Sequence, residues 1–218
     1  MTRADETRTH SRPAPVAPAV CVTTTHLQQL DPGDLIPASR SLPPGCRIER
    51  AGGITADFSR FLYRSVGSGW NWTDRLGLAR AEWDALLRER GSETWVLYAG
   101  GAPAGYAELA GRARHAGSTP DATAGTEVEI VYFGLFPERI GQGLGGPLLE
   151  EATRRAWDLA SRWAGLAPVE RVWVHTCSLD GPAALANYRA RGFSIQRTES
   201  EVLTPGDAAA GLWPLPNP

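Results

Sequence analysis

The residues best suited to chemistry cluster in one stretch, VEIVYFGLFPERIGQGLGGPLLEEATRRAW, from Val128 to Trp157. Gly141, Gly143, Gly145 and Gly146 stand between an apolar run and an amphipathic one. A strand-to-helix turn of this kind presents unsatisfied backbone N–H groups and the positive end of a helix dipole, and the missing side chains let a phosphate approach. The glycines alone leave two readings open. One is a turn without a ligand; the other is a dinucleotide fingerprint, because Gly141, Gly143 and Gly146 satisfy G-x-G-x-x-G. Against the fingerprint, Pro137 to Ile140 separate the glycines from the strand, and a hairpin pattern precedes it.

Other reactive side chains lie within this stretch and on either side of it. Glu129 is a carboxylate inside an apolar run, as a general base would be, although most such residues simply pair with an arginine. Glu127 shares its strand face by the period of two and is the fallback. Tyr188 is either a core aromatic with its hydroxyl bonded to backbone or a proton donor. His175 and Cys177, two apart on one strand face, invite a covalent reading, but a polar lining role for His175 fits better. Trp70, Asn71, Trp72, Thr73, Asp74 and Arg75 put an aromatic pair beside a carboxylate, which suits a cationic or apolar amine or simple packing under a loop.

The surrounding pattern specifies the elements that must position these groups. Residues 1–44 are rich in Thr, Pro, Ser and Ala and poor in large apolar side chains, so they read as a flexible arm. Ile48 marks a first strand; Phe58, Phe61, Leu62 and Val66 recur at helical spacing; Trp83, Leu86 and Leu87 share the face of a second helix that stops at Gly91. TWVLYAGGAPAGYAELAGR reads as a hairpin around Gly100 and Gly101, and residues 113–125 as a polar loop. After the glycines, Leu148, Leu149, Ala152, Ala156, Leu159 and Trp163 form a buried helical stripe. RVWVHTC is a strand; Asp180 is placed to cap a helix that Gly192 stops; FSIQRTESEVL is a last strand, and residues 204–218 are a tail. The order is that of an α/β protein with a mixed sheet, and the core spans about residues 45–203.

Composition bounds the function. The chain has 218 residues, a net charge of −2 and 22 basic residues that are all Arg, with no dense basic block, so nucleic acid and membrane surfaces are not expected partners. The absence of Lys excludes a Schiff-base lysine and a Walker-type phosphate lysine. Cys21, Cys46 and Cys177 are odd in number and widely spaced, which suggests neither a disulfide framework nor a metal site. With no signal-peptide pattern, a cytoplasmic location is expected.

Proline, ERIGQGLGG, an amphipathic helix, a strand and then a helix ending NYRARGF together resemble the GNAT superfamily of acyl-CoA-dependent N-acyltransferases, over about residues 46–201. The resemblance implies a mixed, mostly antiparallel central sheet flanked by helices on both faces, acetyl-CoA as co-substrate and no metal. Its loop pattern, [RQ]-x-x-G-x-[GA], falls on Gly143 and Gly145 but puts Ile140 where Arg or Gln is usual, with Arg139 one place earlier. The resemblance implies pyrophosphate contacts along Arg139, Gly141, Gln142, Gly143, Leu144, Gly145 and Gly146, and backbone contacts to pantetheine and thioester near Leu135 and Phe133. It makes Glu129, fourteen residues before Gly143, the general base, and Tyr188, with Gly192 and Phe193 matching the later signature, the general acid. Trp70, Trp72, Asp74 and His175 would meet the acceptor, expected to be the amine of a small metabolite or amino acid. A protein amine is the alternative acceptor, a non-catalytic acyl-CoA sensor the alternative function, and a homodimer is compatible with the pattern.

Overall fold

The computed structural model describes residues 20–70, 72–115 and 123–203. Asn71, residues 1–19 of the expected arm and the expected tail lie outside them. Seven strands form one sheet: β1 (Val20–Gln29), β2 (Cys46–Arg50), β3 (Ser92–Ala99), β4 (Ala102–His115), β5 (Thr123–Leu135), β6 (Val169–Cys177) and β7 (Ser194–Leu203). Their spatial order is β2-β3-β4-β5-β6-β1-β7, and every pair is antiparallel except β5–β6. Two helices, α1 (Ala56–Gly67) and α2 (Arg80–Arg88), precede the hairpin. The parallel β5–β6 pair requires a crossover, supplied by α3 (Gly145–Trp157) and a short α4 (Leu159–Arg162); α5 (Ala184–Ala190) precedes β7. No helix among the described residues is long and apolar enough to cross a membrane.

Four expectations are corrected. Residues 20–29, expected within a flexible arm, form β1, which pairs with both β6 and β7. The segment is rich in Val and Thr, which favour strands, but its low apolar content hides that propensity until two neighbours supply ladders on both edges. The expected polar loop is shortened from both ends, because β4 runs to His115 and β5 begins at Thr123. Asp180 does not cap α5, which has no side-chain cap; its carboxylate instead accepts from Thr176 Oγ1 at 2.7 Å and the Cys177 N–H at 2.9 Å, closing the end of β6.

Both faces of the sheet carry a core. Leu149, Ala156 and Leu159 of the crossover pack with Val128, Ile130, Val172, Val174, Tyr188 and Phe193. Opposite, Leu62, Tyr63, Val66 and Trp83 pack on Val96, Tyr106, Tyr132 and Phe136. Phe61, part of the expected apolar spacing of α1, is instead largely exposed, with its ring edge-on to Phe136 at 5.8 Å. The hairpin turns at Gly100 and Gly101, whose φ values of 61° and 85° match a type I′ turn.

Candidate active site

Two irregularities in β5 create the site. Glu108 faces Tyr132 while the next residue, Leu109, faces Ile130, so Val131 is an extra residue and forms a bulge. The bulge puts both Val131 and Tyr132 on the α1 side, whereas Ile130 and Phe133 join the α3 side. Strand alternation thereby changes phase within the opening motif. The second irregularity is the end of pairing: β5 meets β6 only from Thr126↔Val169 to Glu129↔Trp173. Beyond that point the strands diverge.

The gap holds a cavity of about 940 Å³, within the range of small-molecule sites. The Phe136 N–H donates to Ala104 O at 2.9 Å, so by antiparallel alternation Gly134 and Tyr132 also bond toward β4. The backbone groups of Phe133 and Leu135 therefore face away from β4, toward the gap, where they can bond an extended ligand as a missing strand would. At one end the cavity is walled by Gly141, Gly143, Leu144, Gly145 and Gly146. Gly141 and Gly143 have φ values of 82° and 76°, which L-residues with side chains rarely adopt. No side chain caps α3 and its first turn holds no acid, so its terminal N–H groups remain free for an anion.

The other end is acidic and aromatic. Trp70, Trp72, Thr73, Asp74, His175, Cys177, Asp180, Thr24 and Glu201 line it, and no Arg among the described residues lines the cavity. Asp74 accepts hydrogen bonds from Tyr63 Oη at 2.7 Å and from Tyr132 Oη. Burial first, and then the Asp74 carboxylate, push the Tyr63 phenol well above its ordinary range; burial does the same to Tyr132. Both phenols therefore stay protonated as donors to Asp74. Behind them Arg75 pairs with the buried Glu108 at 2.7 Å and lies over the Tyr132 ring at 4.5 Å.

His175 and Glu129 form a pair, with Nδ1 and Oε1 3.3 Å apart. The Glu129 hydrogen bond raises the His175 pKa above the usual imidazole value, against desolvation, with further help from the charges of Glu129, Asp180 and Asp74. The contact places the proton of the neutral ring on Nδ1 and leaves Nε2 able to accept one. Tyr188 sits between Phe133 and Phe193, with ring centroids 5.9 and 6.1 Å away, and lines the cavity. Burial, then the charge of Asp180, drive its phenol far above the ordinary value. Its hydroxyl makes no hydrogen bond to a described residue.

Of the residues singled out from sequence, Trp70, Trp72, Asp74, Phe133, Leu135, Gly141, Gly143, Leu144, Gly145, Gly146, His175 and Tyr188 meet at this cavity. Glu129, Arg139 and Gln142 are set back. Glu129 is 8 % exposed and reaches the cavity through His175. Arg139 lies in a 3-10 turn, Pro137–Arg139, with Nε buried and unpartnered, and the Gln142 side chain donates to Glu138 O at 2.7 Å. Glu127, the fallback base, is bound to Arg171 at 3.0 Å. Sequence reasoning missed Thr24 and Glu201, because β1 was not read as a strand, and Tyr132, because strict alternation puts it on the wrong face.

The chain matches the family model described as "Acetyltransferase (GNAT) family" over residues 56–193. Among solved structures, it is similar to a GCN5-related N-acetyltransferase from Kribbella flavida, at 19 % identity and a TM-score of 0.51 over 90 % of this chain and 62 % of that one. A Drosophila protein gives 12 % and 0.53 over 85 % and 51 %. A GCN5-related N-acetyltransferase from Sphaerobacter thermophilus gives 14 % and 0.50 over 88 % and 54 %. These likenesses concern the fold, which is the mixed sheet expected from the sequence, and the chain spans only about half to three fifths of the solved chains it matches. No curated protein matches the sequence.

Proposed function

The chain belongs to the GNAT acetyltransferase family, and on that premise we propose that it transfers an acetyl group from acetyl-CoA to a primary amine of a small cationic molecule, by direct attack in a ternary complex. The observation that carries this reading is one continuous cavity with opposite chemistry at its ends: uncapped glycine amides at one, and Asp74, Asp180 and Glu201 at the other. The amides suit a pyrophosphate and the carboxylates suit an ammonium. An amino acid would bring its own carboxylate to an end that offers it no Arg, so a diamine or a polyamine is the favoured form of small amine.

Each residue then has a task. The Gly141–Gly146 amides hold the pyrophosphate, the Leu135 backbone holds the pantetheine arm, and a backbone N–H near Phe133 polarises the thioester carbonyl. Bound acetyl-CoA supplies an activated acyl carbon. Asp74, held by two phenols, anchors the acceptor between Trp70 and Trp72. His175 Nε2 takes the proton of the acceptor ammonium, with Glu129 holding Nδ1 and stabilising the imidazolium that forms. The base assigned to Glu129 thus becomes a two-residue device in which the imidazole meets the substrate. Tyr188, protonated and unengaged, gives its proton to the departing thiolate and recovers one from the nitrogen of the new amide, which restores the phenol.

The test is thiol release from acetyl-CoA with a panel of diamines, polyamines, amino acids and an amino-terminal peptide. Diamines or polyamines should react best, and Asp74→Asn should raise their KM by about ten-fold or more, the scale of a lost charge-assisted bond. Amino acids as the preferred acceptors would refute the cationic reading. Calorimetric binding of acetyl-CoA without turnover on any amine would favour a sensor.

A further inference from the structure

We infer that Arg40 and Arg191 hold the CoA diphosphate in place of the side chain that Ile140 lacks, which makes the connection between β1 and β2 a component of the cofactor site. The inference rests on the acetyltransferase reading above. Ile140 is 51 % exposed and lines the cavity, but it offers a phosphate nothing. Two guanidinium groups converge on the same loop from elsewhere. A side-chain carbon placed on Gly143 would lie 3.5 Å from Arg40 Nη1, and one placed on Gly146 would lie 3.3 Å from Arg191 Nη1.

Arg40 makes no hydrogen bond or ion pair with a described residue. Arg191 is only 7 % exposed, and among the described residues its one side-chain hydrogen bond is from Nε to the adjacent Ala190 O at 2.9 Å, which leaves both Nη groups without an acceptor there. Both cations stand at the N-terminus of a 13-residue helix, where the dipole is already positive and no acid occupies the first turn. Glu150, in the second turn of α3, is close enough to Arg191 to feel its charge, but its carboxylate is already engaged by the Ala38 N–H and by Arg154, so the group that would satisfy both guanidiniums is a further anion with several oxygens. A diphosphate matches the guanidinium fork and the loop amides together.

The connection is fastened in this position. The Ala38 N–H donates to Glu150 Oε2 of α3 at 2.7 Å, and the Ile36 N–H to Arg191 O at 3.2 Å. Gln29 Nε2 donates to the same Arg191 carbonyl at 2.8 Å, while Gln29 Oε1 accepts from Trp157 Nε1 at 3.0 Å. Gly192 lets the Asp34 carbonyl press against the end of α5, since any side-chain carbon there would fall 1.8 Å from that oxygen. Arg40 is therefore presented by a strap that is bonded to the end of α5, where Arg191 lies.

The experiment is calorimetry on the full chain with CoA, dephospho-CoA and pantetheine, comparing wild type, Arg40→Ala and Arg191→Met. Arg40 is exposed, so its variant should keep the fold; a circular-dichroism melt checks Arg191→Met. Arg40→Ala should weaken CoA and dephospho-CoA about ten- to hundred-fold, with a shallower salt dependence, and leave pantetheine unchanged. Ile140→Arg in the Arg40→Ala background should recover some of the loss. Unchanged CoA affinity, or an equal loss with pantetheine, overturns the inference. A loss confined to CoA and absent with dephospho-CoA also overturns it, by moving the contact to the 3′-phosphate. Wild type that binds no CoA would bring down the acetyltransferase reading itself, and the inference with it.

Discussion

Replacing Tyr188 with Phe removes one oxygen from the buried wall of the cavity and leaves the ring between Phe133 and Phe193. Because the hydroxyl bonds no described residue, no protein hydrogen bond is lost, and stability should stay within about 0.5 kcal/mol of wild type. For a chain of this length that is a shift in Tm of about 2 °C or less. If the hydroxyl protonates the departing thiolate, kcat should fall about 10²- to 10⁴-fold, which is about 3–5 kcal/mol of transition-state stabilisation. Thiol release at saturating amine measures kcat, and a thermal melt measures stability. The thiolate needs the proton because an alkyl thiol has a pKa of about 8.5. An acetyl thioester of a much more acidic thiol should therefore lose less on substitution. A kcat within about three-fold of wild type would refute the assignment, because general acid catalysis is worth far more. A drop in Tm of several degrees with kcat preserved would make the hydroxyl structural instead.

Three further outcomes follow from the buried charges and the crowded strand. Glu129→Gln removes the partner that raises the His175 pKa while burial still lowers it, so the acid limb of the pH profile of kcat/KM should move to lower pH; an unmoved limb would exclude His175 as the proton acceptor. In the wild type the same raised pKa adds stability that is complete below the unfolded imidazole value and lost as pH rises through the folded one. Arg75→Met leaves Glu108 buried without its cation and should cost about 3–5 kcal/mol. Burial already raises the Glu108 pKa despite Arg75, so the variant should lose stability as pH climbs above the ordinary carboxylate range, and Glu108→Gln in that background should restore much of it; urea melts at several pH values check both. Gly134→Ala would put a methyl 2.4 Å from Val66 Cγ1 and push α1 off the strand, lowering Tm and raising the KM of both substrates; a fully active variant of normal stability would refute this tight packing.

The sequence by itself determined the local elements and the glycine end of the cavity. Period-two runs, the Gly100–Gly101 turn and the helical stripe of α3 are set by neighbours in the chain, and so is the glycine loop, whose amides are exposed by its own backbone. Tertiary structure decided what depends on partners far away. Val20–Gln29 is a strand because β6 and β7 flank it, and only then do Thr24 and Glu201 reach the cavity. Glu129 stands behind His175 because β5 and β6 diverge immediately after the Glu129↔Trp173 pair. The bulge at Val131, invisible to a strict alternation, turns Tyr132 toward Asp74. Arg40 and Arg191 lie 151 positions apart in the chain and meet at one loop only in the fold, because side-chain chemistry is written locally whereas the field at a site sums over whatever the packing brings near.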